Sequence, residues 1–215
     1  DRVLAFDRRA ERVSAIATVL ANIEVIILVK AFGMEQTLGN VLFASTFLIT
    51  DILSECEGRK EANKAVTMSI FVSVFFLLLS QSWLLYVPSA GDTMMPSIKA
   101  VFSNTPRMIL ASLVVYVVSQ FFDVWLYHKW WAFTEKRFGD KRKFLWLRNN
   151  GSTLVSQIIN TLLFTLFAFW GTYDLKTIGS IFISSYVIYV VTSLLDTPFV
   201  YLARHIHDKK IKENL

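Results

Sequence analysis

Apolar residues run through this chain in blocks of bilayer length, separated by shorter stretches rich in Lys and Arg. Five blocks reach the roughly 20 residues that a helix needs to cross hydrocarbon: residues 13–33, 66–87, 106–127, 151–170 and 177–202. A sixth, residues 38–53, is shorter and begins near Gly39-Asn40. It either crosses as a short span buried among other helices or dips in and returns. The pattern predicts an all-α integral membrane protein, a single transmembrane domain over residues 1–215. The connections on one side are short except residues 88–105, which hold Pro88, Gly91 and Pro96; on the other side the longest is residues 128–147. Trp130, Trp131, Phe133 and Trp146 in that loop fit an interfacial aromatic belt, with Trp146 also able to close a pocket from below. No small-residue cleavage site follows the first apolar block, so no cleavable signal peptide is expected. The sequence opens on Asp1 rather than Met, so a few native residues are expected before it.

Charge decides the short sixth block. Of 22 Lys and Arg, 18 fall in the N-terminal tail (Arg2, Arg8, Arg9, Arg12), after residues 38–53 (Arg59, Lys60, Lys64), between residues 106–127 and 151–170 (Lys129, Lys136, Arg137, Lys141, Arg142, Lys143, Arg148) and at the end (Arg204, Lys209, Lys210, Lys212). Lys99, Arg107 and Lys176 lie on the other side, and Lys30 falls within the first block. Basic loops stay cytoplasmic, and this alternation requires residues 38–53 to cross. Six spans with both termini cytoplasmic follow. The net charge of +5 then needs no nucleic acid to account for it; the basic loops suit anionic lipid headgroups. Cys56, the one cysteine, permits no intrachain disulfide and reads as an inert thiol.

Acids inside the membrane reveal a repeat. Asp51, Asp123 and Asp196 are 72 and 73 residues apart, each near the cytoplasmic end of an outward-to-inward helix. Ser112, Tyr116, Ser119 and Asp123 follow the steps i, i+4, i+7, i+11, and so do Ser185, Tyr189, Thr192 and Asp196, which places each set on one helical face. The first unit offers only Asn40 and Asp51 at the matching offsets. Three helical hairpins related by an axis along the membrane normal are expected, an arrangement known in transporters.

Polar groups at this depth face protein or water. Asn149, Ser152, Thr153, Ser156, Gln157 and Asn160 form a stripe on the fifth span, and Ser156-Gln157-Ile158-Ile159-Asn160 repeats the spacing of Ser119-Gln120-Phe121-Phe122-Asp123 on the fourth. Facing each other, two such stripes offer amides and a carboxylate to the edge of a purine-like base, with Phe47, Tyr116, Phe122 and Phe164 available to stack on its face. Single Ser and Thr side chains are better explained as glue between helices, at about 0.6 kcal/mol per bond. Gln120, Asp123, Gln157 and Asn160 together read as a binding site. Asp51 and Asp196 either complete it or pair with Lys30 or an Arg to fix helix packing; Arg107 and Arg148 guard or orient it. Glu24 reads as structural or peripheral. Ala17 and Ala21 have the small-xxx-small spacing of close helix contact, which serves internal packing by default, or a homodimer or partner protein.

No phosphate loop and no His/Cys metal spacing occur, so neither cofactor nor metal is expected. His128, His205 and His207 fall at or beyond the cytoplasmic boundary, as does the sequon Asn150-Gly151-Ser152, where glycosylation does not reach.

Thr50-Asp51-Ile52-Leu53-Ser54-Glu55, followed by Gly58-Arg59-Lys60 and Ala62, resembles the signature of the queuosine precursor transporters, also known as a vitamin uptake family. Arg107, Ser119-Gln120 with Asp123, Trp146-Leu147-Arg148, Ser152-Thr153, Ser156-Gln157 and Asp196-Thr197-Pro198 resemble its later signatures in the same order. The likeness covers about residues 22–202. It implies six transmembrane helices in a cell's inner membrane, a resemblance to the substrate-binding subunits of energy-coupling-factor transporters, and uptake of 7-deazaguanine bases: the cyano or aminomethyl precursors, or queuine. Two positions depart from the pattern. Glu57 stands where an aromatic residue is expected, and Asn160 where an acid is expected. Inward transport of such a base is the leading expectation, with Gln120, Asp123, Gln157 and Asn160, aided by Ser119 and Ser156, as its ligands. A substrate-binding subunit served by an ATPase partner, and a membrane enzyme, are the alternatives.

Overall fold

The structure, a computed structural model, describes residues 2–24, 27–31, 34–103, 106–140, 142–171 and 173–213; side chains are further limited to those outside 2–9, 28, 31, 34–37, 106–110 and 210. The described chain is helical except for one short hairpin. In order come α1 (Arg2–Glu24), β1 (Leu28–Ala31), β2 (Met34–Thr37), α2 (Gly39–Cys56), α3 (Arg59–Trp83), α4 (Met95–Phe102), α5 (Pro106–Phe138), α6 (Leu145–Phe169) and α7 (Leu175–Glu213). By length and apolar composition α3, α6 and α7 are able to cross a membrane.

The first apolar block is not one helix. α1 stops at Glu24, and β1 pairs antiparallel with β2, Leu28 opposite Thr37 and Ala31 opposite Met34. Val25, Ile26, Ile27 and Val29 are β-branched, and Gly33 follows. This strand-and-turn composition is invisible to a hydropathy count. Lys30 therefore sits exposed on a strand instead of within a span, where it cannot serve as the buried partner of Asp51 or Asp196.

The expected long loop over residues 128–147 is also corrected. α5 continues to Phe138 and α6 begins at Leu145, so Trp130, Trp131 and Phe133 are helical. At about 1.5 Å per residue the 33 residues of α5 span about 50 Å, well past the hydrocarbon. On the opposite side, Met95–Phe102 within the expected loop form α4. The Asp92 carboxylate accepts the Met95 N–H at 2.8 Å, and Pro96 occupies the first turn, where a missing N–H costs nothing. Phe102 packs edge-on to Trp83 and Phe76, and Gln81 donates to the Phe102 carbonyl at 2.9 Å, which ties α4 back to α3.

α2 and α3 join through a tight turn. Gly58 adopts φ +90°, open to glycine and strained for other residues, and both its N–H and that of Glu57 close on the Leu53 carbonyl. The turn lays Ala62, Ala65 and Val66 of α3 against Leu53 of α2 and Val124 of α5, all fully buried. The close approach uses small side chains, as expected where helices cannot rely on water to drive them together. Ala17 and Ala21 are likewise buried, on an α1 that packs against α2 and α3. Glu24, at the end of α1, is half-buried.

Candidate functional site

The interior of α2, α5, α6 and α7 is polar and ordered in three layers. Each layer is one or two helical turns from the next.

The layer toward Asn40 combines rings and amides. Phe43 of α2 packs edge-on to Tyr116 of α5, with centroids 5.6 Å apart, and lies 6.5 Å from Tyr189 of α7. Phe47 meets the same ring at 5.6 Å. Tyr116 and Tyr189 are equivalent members of the two repeated faces, so the repeat brings one tyrosine from α5 and one from α7 to Phe43. The Tyr189 hydroxyl donates to Asn40 Oδ1 at 3.1 Å. Beside the rings, Ser119 donates to Asn160 Oδ1 at 3.3 Å and the Asn160 amide donates to Gln157 Oε1 at 3.1 Å. The α5 and α6 stripes thus do meet. Gln120 turns the other way: its amide donates to Thr46 Oγ1 at 2.6 Å, and Thr50 donates to its Oε1 at 3.4 Å. Phe122 and Phe164 do not join this layer; they pack on Trp125 and Phe169.

One turn along, Asp51 and Asp123 adjoin each other, with Ser152 and Ser156 beside Asp123. Thr153 donates to Asp51 Oδ2 at 2.9 Å. Asp51 Oδ1 and both oxygens of Asp123 accept no hydrogen bond, although the two residues are only 2% and 0% exposed. Orphaned acceptors in a buried setting are costly and set this layer apart from the hydrogen-bonded ones on either side. Asp196 of α7 is half-buried and outside the hydrogen-bonded network, though its charge reaches Asp51.

The third layer was not legible in the sequence. Glu55, one turn beyond Asp51, accepts from Arg148 Nε at 2.8 Å through one oxygen and from Arg148 Nη2 through the other. Arg204 Nη1 reaches the same carboxylate at 3.1 Å, and the Tyr127 hydroxyl donates to it at 2.7 Å. The Trp131 ring lies 4.4 Å from the Arg148 guanidinium carbon, a cation–π contact. Arg148, expected to guard or orient the site, is fully buried and paired with Glu55, while Trp146 is 53% exposed. The advance signals were Glu55, four residues from Asp51 on the same face of α2, and Arg148 in Trp146-Leu147-Arg148, but nothing in the sequence joined the two. Glu57, the departure from the expected aromatic, lies 3.1 Å from His207 of α7. The Arg107 side chain lies outside the described residues.

The sequon is structural. Asn150 is buried, donates to Thr197 at 2.7 Å and accepts from Ser193 at 3.0 Å. Cys56 lies beside this end of the bundle, and burial, followed by the charges of Glu55 and Glu57, pushes its thiol up to about 12.

Buried amides that both donate and accept, next to aromatic rings, suit a flat heterocycle with a mixed hydrogen-bonding edge. Residues 37–203 match the family described as "Putative vitamin uptake transporter". The chain belongs to this family. By family it is a transporter and not an enzyme, and its apolar helices place it in a membrane. A protein of Bacillus subtilis strain 168 named "Probable queuosine precursor transporter" is 38% identical over 188 residues, which cover 87% of this chain and 80% of the relative. No solved structure matches. The family match begins at Thr37 and includes the polar layers except Arg204, which lies one residue beyond it, whereas α1 and the hairpin strand β1 lie before it.

Proposed function

We propose that this chain imports queuosine precursors, 7-deazaguanine bases, across the cell's inner membrane. The observation that carries the reading is the buried amide and ring layer within a chain so similar to a relative named for that transport. In this reading Gln157, Asn160, Ser119 and Gln120 exchange their mutual hydrogen bonds for bonds to the base edge. Phe43, Tyr116 and Tyr189 cover its faces. Asp123 and Ser156 lie directly below, Asp51 and Asp196 complete the acid layer, and Arg107 orients the outer mouth. The amide of Asn160 presents a donor and an acceptor where an acid would present acceptors alone, which favours a base edge that carries both.

The Lys and Arg distribution supports six spans, formed by α1, α2, α3, α5, α6 and α7, with both termini cytoplasmic. The matched faces of α5 and α7 support a three-hairpin arrangement like that of energy-coupling-factor substrate subunits. Ala17 and Ala21 are spent on packing within the chain, which removes the feature that favoured an ATPase partner or a homodimer.

The test is uptake of labelled deazaguanine by cells unable to make it. Deleting the gene should abolish uptake, and expression of this chain should restore it. Uptake that survives deletion and gains nothing from expression sinks the reading. Thermal-shift ranking of guanine against the deazaguanines then identifies the base.

A further inference from the structure

The acid layer carries an inference that rests on the transport reading above. Asp51 and Asp123 adjoin each other at 2% and 0% exposure. Thr153 satisfies one Asp51 oxygen; the other, and both of Asp123, accept nothing. The neighbouring Ser152 and Ser156 adjoin Asp123, but their hydroxyls are shared with backbone carbonyls. Ser152 donates to the carbonyls of Arg148 and Asn149 at 2.8 and 3.1 Å, and Ser156 to that of Ser152 at 2.8 Å. Asp123 is thus fully buried beside a second carboxylate, with only the two serine hydroxyls next to it and no committed donor of its own.

Among the described residues, no cation neutralises the pair. On α6, Arg148 is held by Glu55, and on α7 Arg204 is held by the same carboxylate. Asp196 on α7 adds a third negative group. On α5 the Tyr127 hydroxyl is given to Glu55. α1 and α3, which also pack on α2, hold Glu11, Lys64 and Glu61 in an ion cluster of their own. Two carboxylates side by side in a low dielectric cannot both stay ionised, and the stable solution is a shared proton.

We propose that Asp51 and Asp123 form a proton-binding site, which holds one proton between them and carries it inward with the base. Asp123 lies one turn from Ser119 and Gln120, so base binding and proton binding share a helix face. One proton enters from outside and leaves to the cytoplasm in each cycle, and no other bond forms or breaks. Intramembrane acids in such positions commonly serve proton relays.

Infrared spectroscopy of the purified full chain reads the site without any substrate. At neutral pH a protonated-carboxyl stretch is expected, shifted in Asp51→Asn and Asp123→Asn and lost in the double variant. A spectrum without that band, or one in which the double variant retains it, overturns the proposal. In proteoliposomes, an inside-alkaline gradient should raise the initial uptake of labelled deazaguanine severalfold. In either single variant the ratio of uptake with and without the gradient should fall to one, whatever rate remains. Wild-type uptake that ignores the proton gradient or follows sodium overturns the proton site and leaves the transport reading intact. A wild-type chain that neither binds nor carries any deazaguanine sinks the transport reading instead, and the infrared band still decides the proton.

Discussion

Replacing Glu55 by Gln should be among the most damaging single changes in this protein. The side chain is 3% exposed and is the one carboxylate shared by Arg148, which is fully buried, and Arg204, which is 16% exposed. Gln keeps the shape but loses the charge, and its NH2 points a donor at groups that are themselves donors. Removing one partner of a buried ion pair costs about 3–5 kcal/mol, because the other charge stays behind in low dielectric. Arg204 can regain water, so its share is about 1 kcal/mol or less. A loss of about 4 kcal/mol follows, and at about 2–4 °C per kcal/mol for a chain of this size the midpoint should fall by about 8–16 °C. Tryptophan fluorescence during thermal unfolding in detergent measures it, since Trp131 lies against Arg148. Arg204→Gln should shift the midpoint by only about 2–4 °C. In the double variant Glu55→Gln/Arg148→Gln the losses should fall short of their sum, because neither charge is then left alone. A Glu55→Gln protein as stable as Arg204→Gln would refute the account of this cluster.

Three further changes probe other parts. Asn160→Ala breaks the Ser119–Asn160–Gln157 chain and should weaken deazaguanine binding about tenfold, or about 1.4 kcal/mol, by calorimetry; unchanged affinity removes Asn160 from the base site. A Cβ on Gly151 would already meet Trp130 Nε1 at 3.1 Å, so Gly151→Leu should overpack the α5–α6 contact and cost about 1–3 kcal/mol in the same unfolding assay. Cys56, with its thiol pushed up to about 12 from 9.0, holds about a thousandth of the usual thiolate at pH 8. Maleimide labelling should therefore be about a thousandfold slower than for a free thiol and should accelerate on unfolding; rapid labelling of the native chain contradicts it.

Hydropathy located the helical segments because each apolar block folds as a helix over most of its length. It failed where composition and hydropathy part company. The run of Val and Ile after Glu24 is apolar enough to extend a span but β-branched enough to lead into a strand, and a window average cannot separate the two. It failed again after Tyr127, where Lys and Trp ended the apolar block but not the helix. Lys129, Lys136 and Arg137 are sound helix formers, and two of them sit in the last turn of α5, where positive charge suits the helix dipole.

The candidate site was legible in proportion to how much of it lay on single helix faces. Ser119, Asp123, Ser156 and Asn160 are recognisable because helical spacing fixes which side chains share a face before any tertiary contact forms. Glu55 and Phe43 were not, because their roles depend on what other helices bring to them. Glu55 gains meaning only when Arg148, 93 residues away, and Arg204, 149 residues away, converge on it. That convergence also explains why the acid layer stands unneutralised. The two guanidiniums that could have balanced Asp51 and Asp123, the buried Arg148 and the partly exposed Arg204, are both taken by the carboxylate one turn away. A chain that needed Asp51 and Asp123 only as helix fasteners would be better served by giving one Arg to each layer. Collecting both on Glu55 leaves the inner pair free to gain and lose a proton, while the helices remain clamped at the Glu55 end of the bundle.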